Sequence, residues 1–302
     1  MDIRTVDAGS LICPEVRNTV GESPVWENTT KCWWWIDQKG KIFRLDSASG
    51  EVRHWSLAEK TGCMVLRPDN RLVCCCETGI FDVALGDGAE ASMSRIAAIT
   101  HPEAGMRFND GRCDRQGRLW VSTFVMDTTL GDAAGEWFRF TGKDGLTRSG
   151  FGDFVIPNGS AFSPDGRRFY CADSHRDVRM LWVFDYDIDA GSLSNKRPFA
   201  DLRDVVGRPD GAAVDTDGCY WVCGIDEACI MRFTPEGVMD RKILIPMQKP
   251  TMCSFGGADQ RTMLVTSLCR GEADLETDPY AGRLLMFQPG SQGIAEPRLA
   301  DA

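Results

Sequence analysis

The chain has 302 residues, is 43% hydrophobic and carries a formal net charge of −10. That is enough apolar material for a large core, and the deficit of Lys and Arg argues against a nucleic-acid partner, because no excess cation is present to displace phosphate counterions. The opening MDIRTVDAGS lacks the apolar stretch of a signal peptide, and no segment approaches the roughly 20 apolar residues of a membrane span, so a cytoplasmic protein with no membrane partner is expected.

From Ser23 onward one pattern recurs six times. A short, half-polar strand runs into a turn segment: SPVWENTTK, VLRPDNR, RCDRQGR, AFSPDGRR, AVDTDGC and FGGADQR. Their Asp, Asn, Gly and Pro residues favour tight hairpins. A second strand follows at once, CWWWID from Cys32, LVCCCE from Leu72, LWVSTF from Leu119, FYCADS from Phe169, YWVCGI from Tyr220 and MLVTSL from Met263. These runs are rich in β-branched, aromatic and Cys residues and too short for helices. Third strands are KIFRLD, GIFDVA, EWFRFT, LWVFDY, IMRFTP and RLLMFQ. A spacing of roughly 40–50 residues is that of propeller blades. The expected fold is therefore all-β: one six-bladed β-propeller domain over residues 1–302, with four-stranded antiparallel blades around a central channel. Two β-sandwiches are the rival, disfavoured by the regular recurrence. Ring closure is expected to use the N-terminal IRTVDA strand, the C-terminal EPRLADA strand, or both.

Four polar segments share one phase of the repeat, just ahead of a first strand. They hold Glu22 in VGESPVW, Arg107, Asn109 and Asp110 in MRFNDGR, Asn158 in IPNGSAF, and Asp210 in RPDGAAV. Equal phase in a propeller means the same end of the channel, so Glu22, Asn109, Asn158 and Asp210 are expected to converge. Carboxylates and amides together form an all-oxygen set suited to a hard divalent cation. The plainer reading of Asn-Gly and Asp-Gly is ordinary turn chemistry. Glu22, beside an apolar strand, has no such role. His175, in ADSHRD, is a further channel candidate, more often a surface residue.

The 13 cysteines include the run Cys74, Cys75 and Cys76, whose members alternate faces of a strand and cannot share one disulfide or zinc site. Buried, unpaired thiols are expected. The absence of a GxSxG elbow and of any HExxH argues against serine-hydrolase and zincin chemistry. Trp33, Trp34 and Trp35 are read as packing residues.

Five stretches carry a resemblance: NTVGESPVW from Asn18, MRFNDGRCDRQGRLWVSTF from Met106, IPNGSAFSPDGRRFYCADS from Ile156, RPDGAAVDTDGCYWVCG from Arg208 and KPTMCSFGGADQRTMLVTS from Lys249. In this order they resemble the gluconolactonase, regucalcin and luciferin-regenerating-enzyme family. The resemblance implies one divalent cation held by Glu22, Asn158 and Asp210, its identity open among calcium, zinc, magnesium, manganese and iron(II). It implies substrate contacts from Arg107, Asn109 and Asp127, although STFVMD stands where many relatives have GTM followed by acidic residues. The implied activity is hydrolysis of a small lactone, a sugar lactone such as a gluconolactone or arabinonolactone. Asp210 then either takes a proton from the attacking water or serves only as a ligand. A non-catalytic calcium-binding propeller and an esterase or phosphotriesterase on the same scaffold are the alternative functions.

Overall fold

The structure, a computed structural model, describes residues 1–205 and 207–301. Its strands form six sheets. Blade 1 comprises Gly21–Glu27, Cys32–Asp37, Lys41–Asp46 and Val52–Ser56. Blade 2 comprises Thr61–Leu66, Leu72–Cys76, Gly79–Leu85 and Ala91–Ala98. Blade 3 comprises Met106–Cys113, Leu119–Val125, Trp137–Thr141 and Gly145–Arg148. Blade 4 comprises Pro157–Phe162, Arg168–Asp173, Met180–Asp187 and Ser192–Asp201. Blade 5 comprises Arg208–Val214, Tyr220–Ile225, Cys229–Phe233 and Met239–Leu244. Blade 6 comprises Pro250–Gly256, Thr262–Ser267 and Leu284–Phe287, with Leu11–Ile12 outermost. Neighbours within these blades pair antiparallel, each first strand touches the next, and the sixth returns to the first, which makes the ring of a six-bladed propeller.

Each sheet is apolar on both faces because alternate residues of a strand serve different neighbours. Trp34 packs between blades 1 and 2, while Trp33 and Trp35 pack between blades 1 and 6. Likewise Cys74 and Cys76 face blade 1 and Cys75 faces blade 3. The three tryptophans are core, as their alternation predicts. All 13 cysteines are free, and only Cys13 is not fully buried. Among the described residues no helix is long and apolar enough to cross a membrane.

Closure differs from the expectation. Blade 6 is completed by Leu11–Ile12, paired antiparallel with Leu284 and Leu285. The IRTVDA segment supplies part of Asp2–Thr5, which adds to blade 5 as a parallel fifth strand beside Met239–Leu244. Residues 296–301 of the EPRLADA segment form no strand. Leu299 donates its N–H to Leu66 O, Ala300 donates to Gly117 O, and Arg298 reaches Glu27, so the segment bridges blades instead of extending one. Its Leu299 is wholly buried in the core between blades 2 and 3.

Candidate active site

The polar residues singled out by their phase lie inside the first strands, not in loops ahead of them. Glu22, Arg107 and Asn158 are each the second residue of a first strand, and Asp210 is the third. All four first strands are buried nearly throughout, so their polar residues are turned into the channel and not toward bulk water. The cause is a bulge. Register shifts fall between Glu22 and Val25, Phe108 and Gly111, Asn158 and Ala161, and Pro209 and Ala212. In each case the first strand gains one residue over its partner. Blades 2 and 6 repeat the device between Thr61 and Cys63 and between Pro250 and Cys253. A bulge bends the strand and re-aims side chains.

The glycines beside these residues answer to close approach. Gly159 has a φ of +65°, and a Cβ there would lie 2.3 Å from Tyr220 Oη. A Cβ on Gly211 would lie 2.5 Å from the Met252 side chain of the next blade. The turn reading of Asn158-Gly159 and Asp210-Gly211 is thereby replaced.

A cavity of about 150 Å³ opens at this end of the channel, and Glu22, Arg107, Asn109, Asn158 and Asp210 all line it. Asn158 is held from both sides: its Oδ1 accepts from Asn109 Nδ2 at 2.9 Å, and its Nδ2 donates to Ser174 Oγ at 2.8 Å. That fixes the amide orientation and leaves one lone pair of Oδ1 free. Asn109 Nδ2 also donates to Pro157 O at 2.9 Å, so only its Oδ1 faces a ligand, beside Arg107 Nη1 at 3.4 Å. Arg107 donates to Phe108 O at 2.6 Å and to Gln38 Oε1 at 2.6 Å, and its guanidinium lies 4.7 Å from the Phe124 ring centre. Behind the wall, Asp110 Oδ2 accepts the Ser160 N–H at 2.6 Å while its Oδ1 has no partner among the described residues. Asp37 and Asp173 brace the approaches to two of the first strands. Asp37 accepts the N–H groups of Thr19 and Val20, and Asp173 those of Val155 and Ile156.

Burial pushes the Glu22 carboxyl well above its ordinary 4.5, and the charges of Asp210 and Asp110 push it further. Burial likewise raises Asp210 well above 3.8, with Arg208 and Arg270 opposing and Asp110 adding. Burial lowers the Arg107 guanidinium to about 10, against the pull of Glu22. Two buried carboxylates that disfavour each other's charge are a site where a cation lowers the free energy. Among the described residues no group of three or more His, Cys, Asp and Glu side chains is arranged for a metal ion. A cation here would therefore need the amide oxygen of Asn158 beside the two carboxylates, an all-oxygen set that fits a hard divalent ion.

Asp127 lies outside the cavity. It is exposed, it caps the short turn Thr128–Leu130, and its Oδ1 accepts from Thr129 N and Oγ1 at 3.1 and 2.5 Å. Its neighbour Thr128 takes the place on the wall. His175 is not on the wall either; its ring stands 3.8 Å from Asp177. The phase argument passed over Thr251, which also lines the cavity. A signal existed: Pro157-Asn158, Pro209-Asp210 and Pro250-Thr251 are the same Pro-polar pair, once per blade. Gln38, Arg176, Arg208 and Arg270 line the cavity as well.

The fold and this pocket define a six-bladed propeller with a recess of carboxylates, amides and arginines at one end of its channel. The chain belongs to the SMP-30/gluconolactonase/LRE-like family, whose model matches residues 20–269. It is 33% identical to the 6-deoxy-6-sulfogluconolactonase of Pseudomonas putida over 286 residues, covering 94% of this chain and 96% of that one. To the L-arabinolactonase of Azospirillum brasilense it is 32% identical over 297 residues, covering 96% and 95%. Its fold matches that of a calcium-binding protein, regucalcin, from Agrobacterium tumefaciens, with a TM-score of 0.90 over 99% of both chains at 23% identity.

Proposed function

We propose that this protein is a lactonase that opens a sugar lactone to the free hydroxy acid with the help of one divalent cation. The observation that carries the reading is the convergence of Glu22, Asn158 and Asp210 with Arg107 and Asn109 on one buried cavity, in a chain whose relatives include sugar lactonases. Glu22, Asn158 and Asp210 hold the cation, which when bound supplies Lewis-acid polarisation of the lactone carbonyl. Arg107, already fixed by Phe108 O, Gln38 and the Phe124 ring, presents its guanidinium edge to a ring oxygen or hydroxyl. Asn109 Oδ1 accepts a substrate hydroxyl, while its Nδ2 keeps Asn158 in place. Together these contacts orient the carbonyl carbon for attack. Asp210 takes the proton from the attacking water at a carboxylate oxygen. The water oxygen bonds to the carbonyl carbon, the bond between that carbon and the ring oxygen breaks, and Asp210 returns its proton to the ring oxygen, which leaves as a hydroxyl.

The test is a panel of five- and six-membered sugar lactones and activated esters, followed by pH-stat, before and after exhaustive chelation and with single cations restored. Lactone opening that chelation abolishes and a divalent cation restores is the expected result. Full activity in metal-free protein, checked by elemental analysis, removes the cation. Binding of calcium with no turnover of any lactone or ester favours a non-catalytic propeller.

A further inference from the structure

We infer that the lactone opened here carries an anionic group, a carboxylate, sulfonate or phosphate, at the end remote from its ring carbonyl, and that Arg176, Arg208 and Arg270 bind it. The inference rests on the lactonase reading above and narrows its substrate class. Three successive blades each place one arginine on the lining of the cavity, Arg176 and Arg270 exposed to solvent and Arg208 partly buried. Arg176 follows the second strand of blade 4, Arg208 opens the first strand of blade 5, and Arg270 follows the second strand of blade 6. Arg107, in another sector, is already engaged by Phe108 and Gln38.

The three differ usefully in how they are held. Arg208 is oriented by Asp226, with Nε 2.9 Å from Oδ2, and by Ser174 O, 3.4 Å from Nη1. The backbone of Arg176 accepts from Arg179 and that of Arg270 donates to Asp274, but among the described residues neither guanidinium has a hydrogen-bond or ion-pair partner. Arg270 and Arg208 both lie close enough to Asp210 to oppose the rise in its pKa. Four arginines thus share a wall with two carboxylates, Glu22 and Asp210, and a divalent cation held there would widen the excess. The chain as a whole carries −10, so a local positive excess at this recess is a departure that a neutral polyol does not require. Guanidiniums match planar or tetrahedral oxyanions by paired N–H donation, and such charge-assisted bonds are the strong ones. Glu22 and Asp210 sit at the reacting end, so an anion is favoured only in the arginine sector.

The experiment compares a neutral aldono-1,5-lactone with the same ring carrying a phosphate, or a carboxylate, on its terminal carbon. The wild-type protein is expected to favour the anionic lactones in kcat/KM by about tenfold or more, chiefly through KM. Arg176→Gln with Arg270→Gln should collapse that ratio by about tenfold, Arg176→Lys should keep part of it, and added salt should erode it. A ratio near one in the wild type, or one that the double variant leaves in place, overturns the inference while leaving lactone opening intact. Calorimetric binding of a sugar dicarboxylic acid separates the two readings. Binding that depends on Arg176 and Arg270, without opening of any lactone, keeps the anion site and removes the lactonase. Neither binding nor turnover removes both.

Discussion

Asn158 shows how much of this site is set by single hydrogen bonds. Its two amide atoms are assigned by Asn109 and Ser174, so its oxygen is presented in one orientation. Glu22 and Asp210 are set by burial, which raises both carboxyls well above their ordinary values, with the charge of Asp210 adding at Glu22 and that of Asp110 adding at both. The two carboxylates are therefore separable by experiment. Asp210→Asn keeps an oxygen able to hold a cation but removes the group that accepts a proton, and Glu22→Gln makes the same change where no proton role is proposed. With both variants saturated in metal, Asp210→Asn is expected to lose about 10²-fold or more in turnover. Glu22→Gln should be rescued largely by excess cation. Equal rescue of both, read from turnover against metal concentration, leaves Asp210 as a ligand only. Four of the proposed residues, Glu22, Asn109, Asn158 and Asp210, were legible because a repeat gives equal phase to residues that share a channel end, and Arg107 was named through the family resemblance. Asp127 was placed by resemblance and not by phase, and its carboxylate is spent on its own turn. Arg176 and Arg270 left no trace in the pattern, since an Arg in a loop after a strand is ordinarily a solvated charge.

The element that makes the site is the bulged first strand. Asn-Gly and Asp-Gly carry the composition of a hairpin turn, and sequence cannot tell that composition from a bulge inside a buried strand. Only the neighbouring blade distinguishes them: Tyr220 stands where a side chain on residue 159 would go, and Met252 where one on residue 211 would go. Second and third strands were read almost to the residue because their apolar runs are continuous. First strands were read as half-polar, whereas they are buried nearly throughout, as the second strands are. Gly159→Ala is expected to cost about 1–3 kcal/mol from its positive φ alone, with more from the approach of Tyr220. It should lower the melting temperature and also reduce turnover, because the bulge that aims Asn158 is the one disturbed. A variant with wild-type melting and wild-type turnover would show that the bulge tolerates a side chain and that the Gly has some other cause.

At the scale of the whole molecule, six interfaces between blades carry the core, and each mixes side chains from two sheets. The ring was legible from recurrence. The closing partner was not, because a two-residue strand such as Leu11–Ile12 has no periodicity to read. That short strand gives the ring a seam. Apart from the strand Asp2–Thr5 added to the outer edge of blade 5, every other blade is built from chain that is local in sequence, and its hairpins can pair soon after synthesis. Blade 6 joins Leu11 to Leu285, nearly the full length of the chain apart, so its last pairing waits until almost everything else exists. Contacts made after the rate-limiting barrier govern how fast a protein comes apart and not how fast it assembles. Leu285→Ala, at a wholly buried position of that pairing, should destabilise by about 2–5 kcal/mol. In stopped-flow denaturant-jump experiments the change should fall on the unfolding limb, with the refolding rate nearly unchanged; a matching slowdown of refolding would place the seam early. If it is late, the lifetime of the native ring is set where its two ends meet, far along the chain from any residue that lines the cavity.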